Sequence, residues 1–464
     1  MEKTAAFPLT SHAVYATFIR LFLPMQDTPE RMRDMANCAI VGINWGDEGK
    51  GRMVDYLANV YDVVIRYQGG NNAGHTIVND MGEFKLNLVP SGIFRTEKLN
   101  LLGPGTVIDI AHLCSEIETL RGRGIVITPD NFKISDRATV VLPVHPNEDK
   151  LEEKRLAKDS YGSTQRGIAP VYADRAYKKA LRMGDLFDEN VLKVHLKKLL
   201  DWKNEVYIKG YDTEPYDFDQ ILSWIHTYAE KLRPHVTNLM PLLAEMSGQG
   251  KQILFEAQLG ALRDLDYGIY PYTSSSSPLA AYAPVGCGLP SLKVDRVVGV
   301  MKAYSTCVGA GPFVGELTDA VGDKLRELGH EYGAATGRPR RVGWLDLVAS
   351  RYGVLVQGAT ELSLTKLDVL SGFDELPICV GYRQHGKVIT DFPYTPELDT
   401  CEPVYEVMPG WKRDISSVRH FKDLPAETRA YVERIEEAMQ TPATFLSVGP
   451  EREAMIIRES AYVR

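Results

Sequence analysis

The feature that most constrains the chain is a short apolar run, Ala39-Ile-Val-Gly42, that breaks into a polar, glycine-rich stretch, Asn44-Trp-Gly-Asp-Glu-Gly-Lys-Gly51. Four apolar residues bounded by turn formers fit a buried strand better than a helix. After the glycines, Arg52 to about Val60 carries a helical pattern, and Asp62-Val-Val-Ile-Arg66 reads as a second strand. Strand, glycine loop, helix, strand is the order of an α/β fold, in which loops at the carboxyl ends of strands bind ligands. Further strands are expected at 138–142, 252–256, 361–366, 377–382 and 443–447, and helices near 111–121, 186–201, 217–246, 344–356 and 426–438. Thr273 to Pro290, rich in Ser, Pro, Gly and Ala, reads as a long loop. The predicted fold is α/β, with a large, mainly parallel central sheet, a P-loop-like glycine loop and helical insertions. Residues 37–464 are expected to form a single catalytic domain, and residues 1–36 an extension outside it, since Met35 directly precedes the first strand pattern.

Composition narrows the partners. The chain has 464 residues, 44% of them hydrophobic, enough for a substantial core. Lys and Arg number 53 against 61 Asp and Glu, a net charge of −8 without basic blocks. Nucleic-acid binders cluster cations to displace counterions, so the expected partners are small molecules. Six cysteines (Cys38, Cys114, Cys287, Cys307, Cys379 and Cys401) lie apart with no CxxC pair. That spacing reads as reduced and cytoplasmic, not as a disulfide frame or zinc site. No apolar run reaches the ~18–20 residues that cross a bilayer.

The chemistry concentrates in four stretches. Gly46-Asp-Glu-Gly-Lys-Gly51 offers backbone N–H groups, a helix start and the Lys50 cation to an anion. It is not the usual phosphate loop, because Asn44 and Gly51 replace the required Gly and Ser or Thr. Asp47 and Glu48 would repel phosphate unless one binds Mg²⁺ or acts as a base. Gly69-Gly-Asn-Asn-Ala-Gly-His75-Thr76 leaves the second strand, read as the neighbour of the first, so that both loops face one crevice. Arg338, Arg340 and Arg341 crowd the loop Gly333–Arg341, where guanidinium forks suit carboxylates and phosphates. Thr365-Lys-Leu-Asp368 has the Lys-x-Asp order of guanine-reading elements. Each stretch alone also fits a solvated turn.

Together they resemble the adenylosuccinate synthetase family. The resemblance runs through WGDEGKG (45–51), RYQGGNNAGHT (66–76), PSGIF (90–94), RGIAPVYADR (166–175), LRMGDLF (181–187) and DLDYGIYPYTSS (264–275). It continues through KAYSTCVGAGPF (302–313), TGRPRRVGWLD (336–346), LTKLDVLSGF (364–373), YEVMPGW (405–411) and SVGPERE (447–453). The resemblance implies a Mg²⁺-dependent ligase that spends GTP to join L-aspartate to the 6-position of IMP through a 6-phosphoryl intermediate, in AMP synthesis. Asp47 is then the base and, with the Gly74 carbonyl, a Mg²⁺ ligand; His75 is the general acid. The acceptor nucleotide would be held by Asp47, Glu48, Gly49, Lys50, Asn72, Ala73, Gly74, His75, Thr164, Lys178, Gln258 or Leu259, Ser274 and Arg338. Ala334, Ala335, Thr336, Gly337, Arg338 and Arg340 would hold aspartate. GTP would meet Gly46 through Arg52 (Gly46, Asp47, Glu48, Gly49, Lys50, Gly51, Arg52), Gly74, His75, Thr76, Arg340, Lys366, Leu367, Asp368, Ser447, Val448 and Gly449. The family works as a homodimer in which one subunit completes its neighbour's nucleotide pocket.

The departures gather around the acceptor nucleotide. Lys178 stands where the family has an arginine that crosses the dimer, so the charge is kept and the fork lost. Phe255-Glu-Ala-Gln-Leu-Gly260 replaces Phe-Glu-Gly-Ala-Gln-Gly, leaving Gln258 and Leu259 as rivals for the base-contacting glutamine. Ser274 and Ala335 replace threonines, Pro339 interrupts an arginine run, and Asn71 stands where histidine is common. Three readings follow: drift in an IMP–aspartate ligase, a paralogue that ligates aspartate to another 6-oxopurine nucleotide, and a GTP-binding sensor without catalysis.

Overall fold

The computed structural model describes residues 37–79, 81–332, 337 and 339–458. The expected extension at 1–36 lies outside the described residues, as do Ala334, Ala335, Thr336 and Arg338 of the expected aspartate loop.

A ten-stranded sheet organises the chain. Its strands in chain order are β1 (Cys38–Gly42), β2 (Val63–Arg66), β3 (Leu99–Leu102), β4 (Phe132–Ser135) and β5 (Val236–Thr237). They continue as β6 (Ile253–Glu256), β7 (Arg296–Lys302), β8 (Glu361–Thr365), β9 (Ala443–Ser447) and β10 (Met455–Ile457). The spatial order is β10-β9-β8-β7-β1-β6-β2-β3-β4-β5. Every pairing is parallel except β9 with β10, an antiparallel edge. Parallel strands are buried on both faces, which is why their sequences read as unbroken apolar runs. In β1, Ala39 and Val41 pack with Val63, Ile65 and Phe255 on one face. Cys38 and Ile40 pack on the other face with Met53, Val54 and Leu57 of helix α1 (Lys50–Leu57).

Several expectations are corrected. β1 and β2 are not neighbours, because β6 lies between them and pairs with both. Residues 139–141 form a strand, but it pairs with Val107–Asp109 outside the large sheet. The stretch 217–246 is two helices, Phe218–Leu232 and Leu239–Gly248. Pro234 sits in the turn between them, and the Asn238 side chain accepts from the Met240 N–H to start the second. The stretch 273–290 contains the short helix Ala283–Cys287. β7 is an addition: Gly299 in its middle and charged residues at its ends hide its strand pattern. All six cysteines are free, and five are buried. Among the described residues no helix is long and apolar enough to cross a membrane.

Candidate functional site

Six strands that lie side by side, β2, β6, β1, β7, β8 and β9, run parallel, so the loops at their carboxyl ends open on one edge. Those loops carry the motifs singled out in the sequence, and the glycine loop after β1 is central.

The loop separates its two acids. Glu48 turns inward: Oε1 accepts from the Asn44 and Gly46 N–H groups at 3.2 and 2.8 Å, and Oε2 pairs with Lys50 Nζ at 2.7 Å. Both Glu48 and Lys50 are only 3% exposed, so this carboxylate serves the loop itself. Asp47 turns outward, its side chain 34% exposed, and pairs with Arg340 at 2.8 Å. Its φ of 60° lies in the left-handed region, between Gly46 and Gly49 at 106° and 101°. A non-glycine residue held there stores roughly 1–3 kcal/mol of strain, a cost concentrated at functional sites. The residues alone do not distinguish the two acids, and the resemblance implies Asp47; in the structure Asp47 is the one that faces outward.

The second loop reaches the first although their strands are not adjacent. A Cβ on Gly51 would lie 2.8 Å from the His75 Cβ, so the glycine is what lets the two meet. His75, buried, meets Glu256 Oε1 through Nδ1 at 2.7 Å. Glu256 ends β6 and also accepts from the Ser91 N–H and hydroxyl at 2.8 and 2.5 Å. Burial pushes the His75 imidazole below its ordinary value, against the opposing pull of Glu256. For Glu256, burial favours protonation but His75, Arg66 and Ser91 outweigh it, so its carboxyl lies below the usual range. A neutral imidazole donating to an ionised carboxylate accounts for both directions. Gly74 and Thr76 flank His75 and are exposed, whereas Ala73 is buried and its carbonyl accepts from Asn87 at 2.6 Å.

Beyond β6, Gln258 is buried and Leu259 is partly exposed with a φ of 62°. Gln258 Oε1 accepts from Arg66 at 2.7 Å, and its Nε2 donates to Asn72 Oδ1 at 3.0 Å. Leu259 brings an apolar side chain against Gly46 instead. Of the two, Gln258 is the one joined to the polar groups of the second loop. Ser274 is joined to this group through Ser276, whose hydroxyl donates to Gln68, itself a donor to the Gln258 carbonyl. Asn71 is buried and donates to Asp109 at 3.1 Å. Thr164 and Lys178 are exposed, the latter with a φ of 62° just after the helix Ile168–Ala176.

On the other side of β1, Lys302 ends β7 and is buried against Glu331 at 2.8 Å. Arg340 bridges Glu331 and Asp47, both at 2.8 Å. Lys302, Lys366 and Arg340 hold the buried Glu331 carboxyl down to about 2, against the opposing effect of its burial. Arg341 is committed to Glu316 and to the Gly311 carbonyl. Gly337 is exposed with a φ of 64°.

The loops after β8 and β9 face each other. Lys366, with a φ of 65°, donates to the Gly329 carbonyl at 2.8 Å, and the Leu367 N–H donates to the Ser447 carbonyl at 3.3 Å. Asp368 is half-buried, and burial lifts its carboxyl above the ordinary value. Arg52 on α1 binds the Ser447 hydroxyl and the carbonyls of Gly449 and Ala454, the last two at 2.8 and 3.0 Å. Its guanidinium therefore shapes the turn Ser447-Val448-Gly449.

No group of three or more His, Cys, Asp or Glu among the described residues is placed to cage a metal. Mg²⁺ keeps waters and substrate phosphates in its shell and needs one or two carboxylates from the protein, so the outward Asp47 is a sufficient anchor. The sequence reading did not pick out Arg66, Glu256, Lys302 or Glu331 as site residues. The first three share a signal: a charged residue closes an apolar strand at its carboxyl end.

Comparison with known proteins gives one answer. The family model for adenylosuccinate synthetase matches residues 39–456. The adenylosuccinate synthetase of Caldanaerobacter subterraneus subsp. tengcongensis is 49% identical over 424 residues, 91% of this chain and 99% of the relative. That of Streptococcus sanguinis is 44% identical over 429 residues, 92% of this chain and 99% of its own. Among solved structures, the fully ligated adenylosuccinate synthetase of Plasmodium falciparum superposes with a TM-score of 0.86 at 36% identity, covering 91% of this chain and all of that one. The succinoaminodeoxyadenylate synthetase of cyanophage S-2L shares the fold, with a TM-score of 0.58 at 18% identity.

Proposed function

Because the chain belongs to the adenylosuccinate synthetase family, we infer that it is a GTP-dependent carbon–nitrogen ligase that joins L-aspartate to IMP, yielding adenylosuccinate, GDP and phosphate. The relatives covering nine-tenths of the chain at 44–49% identity favour IMP over a modified nucleotide, and the retained acid and base speak against a sensor.

The observation that carries the division of labour is the split between the loop's two acids, with Glu48 spent inside and Asp47 turned toward the crevice. Asp47 takes the N1 proton of IMP, and the 6-oxygen becomes a nucleophile toward the γ-phosphorus of GTP. Once phosphate oxygens lie beside it, His75 takes up a proton at Nε2; with Nδ1–H kept on Glu256, the imidazolium donates through Nε2 to the transferring phosphate and acts as general acid toward the departing GDP. The amine of aspartate then attacks the 6-carbon and phosphate leaves. Lys50 and the loop N–H groups hold phosphate oxygens. Asp47 and the Gly74 carbonyl would hold Mg²⁺, which would supply positive charge to those oxygens. Arg340, between Asp47 and Glu331, meets aspartate and GTP. Gly337 and its neighbours hold the aspartate carboxylates. Asp368 accepts from the guanine N1–H and amino group, with Lys366 and the Ser447–Gly449 turn around the base. Gln258, Asn72, Ser274 and Thr164 line the IMP side.

The working form is a cytoplasmic homodimer. The exposed Lys178 and its neighbour Tyr177, 66% exposed, support a reach across to the other copy's nucleotide phosphate. The test is turnover with GTP, Mg²⁺, aspartate and IMP, read as phosphate release and product absorbance. Aspartate-dependent turnover with a different nucleotide and none with IMP would overturn the assignment. For the dimer, Lys178→Ala is expected to raise the KM for IMP; an unchanged KM removes that contact.

A further inference from the structure

On the IMP side, one buried guanidinium helps fix the polarity of a group two hydrogen bonds away from it. Arg66 ends β2, is 1% exposed, and can only donate. Its Nη2 donates to Gln258 Oε1 at 2.7 Å, and its Nη1 is held by the Asn87 carbonyl. With Oε1 engaged, the Gln258 amide must turn Nε2 away, and Nε2 donates to Asn72 Oδ1 at 3.0 Å. The same Oδ1 accepts from the Gly70 N–H at 3.2 Å, a second group that can only donate. Donors at both ends therefore permit one orientation of each amide. The path is closely fitted, since a Cβ on Gly69 would stand 1.3 Å from Gln258 Nε2. Oδ1 of the half-buried Asn72 is consumed twice, which leaves its Nδ2–H₂ as the polar end for the crevice.

We propose that Arg66 is a specificity-determining positioning residue: through Gln258 it makes Asn72 present a donor, so the acceptor subsite takes nucleotide oxygens and disfavours amino groups. The proposal rests on the ligase assignment only for the identity of the nucleotide. Two oxygens share this chemistry, the 6-oxo group of the purine and the 5′-phosphate. A site arranged for one hydrogen-bond polarity rejects the opposite one because a buried partner is left unpaired.

The orientation is read without nucleotide, by ¹⁵N side-chain amide spectra of protein labelled at Asn and Gln. The Gln258 Nε2 protons are expected to be protected from solvent exchange and the Asn72 Nδ2 protons to exchange. Freely exchanging Gln258 Nε2 protons overturn the relay. Removing Arg66 risks the fold, so the functional arm uses Gln258→Glu, which still accepts from Arg66 but cannot donate to Asn72. The new carboxylate draws the Asn72 amino group inward against the weaker hold of the Gly70 N–H, which offers Oδ1 to the crevice. IMP affinity is expected to fall by roughly 10- to 100-fold, and Gln258→Met, which leaves the Gly70 N–H alone to orient Asn72, to cost several-fold less. Titration with AMP separates the two oxygens. If Asn72 faces the 6-position, Gln258→Glu binds AMP more tightly while IMP weakens; if it faces the 5′-phosphate, both weaken alike. Equal losses in the Glu and Met variants, or none, overturn the proposal. Wild-type protein that shows the expected amide protection but binds no IMP would overturn the ligase assignment and leave the relay standing.

Discussion

On the β6–β2 side of β1, Arg66, Gln258 and Asn72 are joined by hydrogen bonds in which every direction is set by a group that can only donate. On the β7–β8 side, Lys302, Glu331, Arg340 and Asp47 alternate in sign, and Arg340 divides its fork between two carboxylates. The first arrangement has one solution, which suits discriminating a ligand by the direction of its hydrogen bonds. The second has several, because a guanidinium paired with two carboxylates can exchange either for a substrate's. Charge on the β7–β8 side is therefore adjustable, and hydrogen-bond polarity on the β6–β2 side is not.

The comparison breaks hardest at Asp47. Asp47→Asn is expected to lower kcat by about 10³–10⁴-fold, the upper range for loss of a general base, while GTP binding, measured by calorimetry, persists. An active Asn variant removes the base from the charged side. Next is Glu331→Gln, which leaves Lys302 buried without its anion and is expected to cost about 3 kcal/mol in urea unfolding. The pH dependence sharpens this. The folded carboxyl lies near 2 against an ordinary 4.5, so its stabilisation is complete above about 4.5 and is lost as pH falls toward 2. The stability gap between wild type and Glu331→Gln should therefore narrow steadily from pH 5 to pH 3; a constant gap would show that charge is not the cause.

A smaller effect is expected at Asp368→Asn, about 10- to 100-fold in GTP affinity with aspartate KM nearly unchanged, since only the guanine contacts are altered. Equal weakening of both substrates would remove guanine reading from Asp368. The smallest is Ser447→Ala, about 0.5–1.5 kcal/mol in GTP binding, because Arg52 retains the carbonyls of Gly449 and Ala454 to hold the turn.

Much of this was legible before any coordinates. Ala39–Gly42 and Val63–Arg66 are strands because parallel strands advertise themselves as apolar runs. The glycine loop could be placed for the same reason: it interrupts such a run at a fixed end. Lateral order was not legible. Nothing local in Ile253–Glu256 says that it wedges between β1 and β2, because strand order is set by long-range packing. The role of Glu48 was equally hidden, since two adjacent acids in one loop look alike until backbone dihedrals separate them. The different surroundings of Gln258 and Leu259 were hidden for a related reason: a φ of 62° sends the leucine against Gly46, while the Gln258 amide faces Arg66.

The late arrival of β6 and β7 bears on how the polypeptide is made. β1 leaves the ribosome before both of its hydrogen-bonding neighbours, Ile253–Glu256 and Arg296–Lys302. Until those segments are synthesised, the nascent chain carries an apolar strand with both edges open, the configuration most prone to intermolecular pairing. The central strands of the crevice can therefore pair only once synthesis has passed Lys302, and chaperone capture of chains truncated before Ile253 is the expected signature.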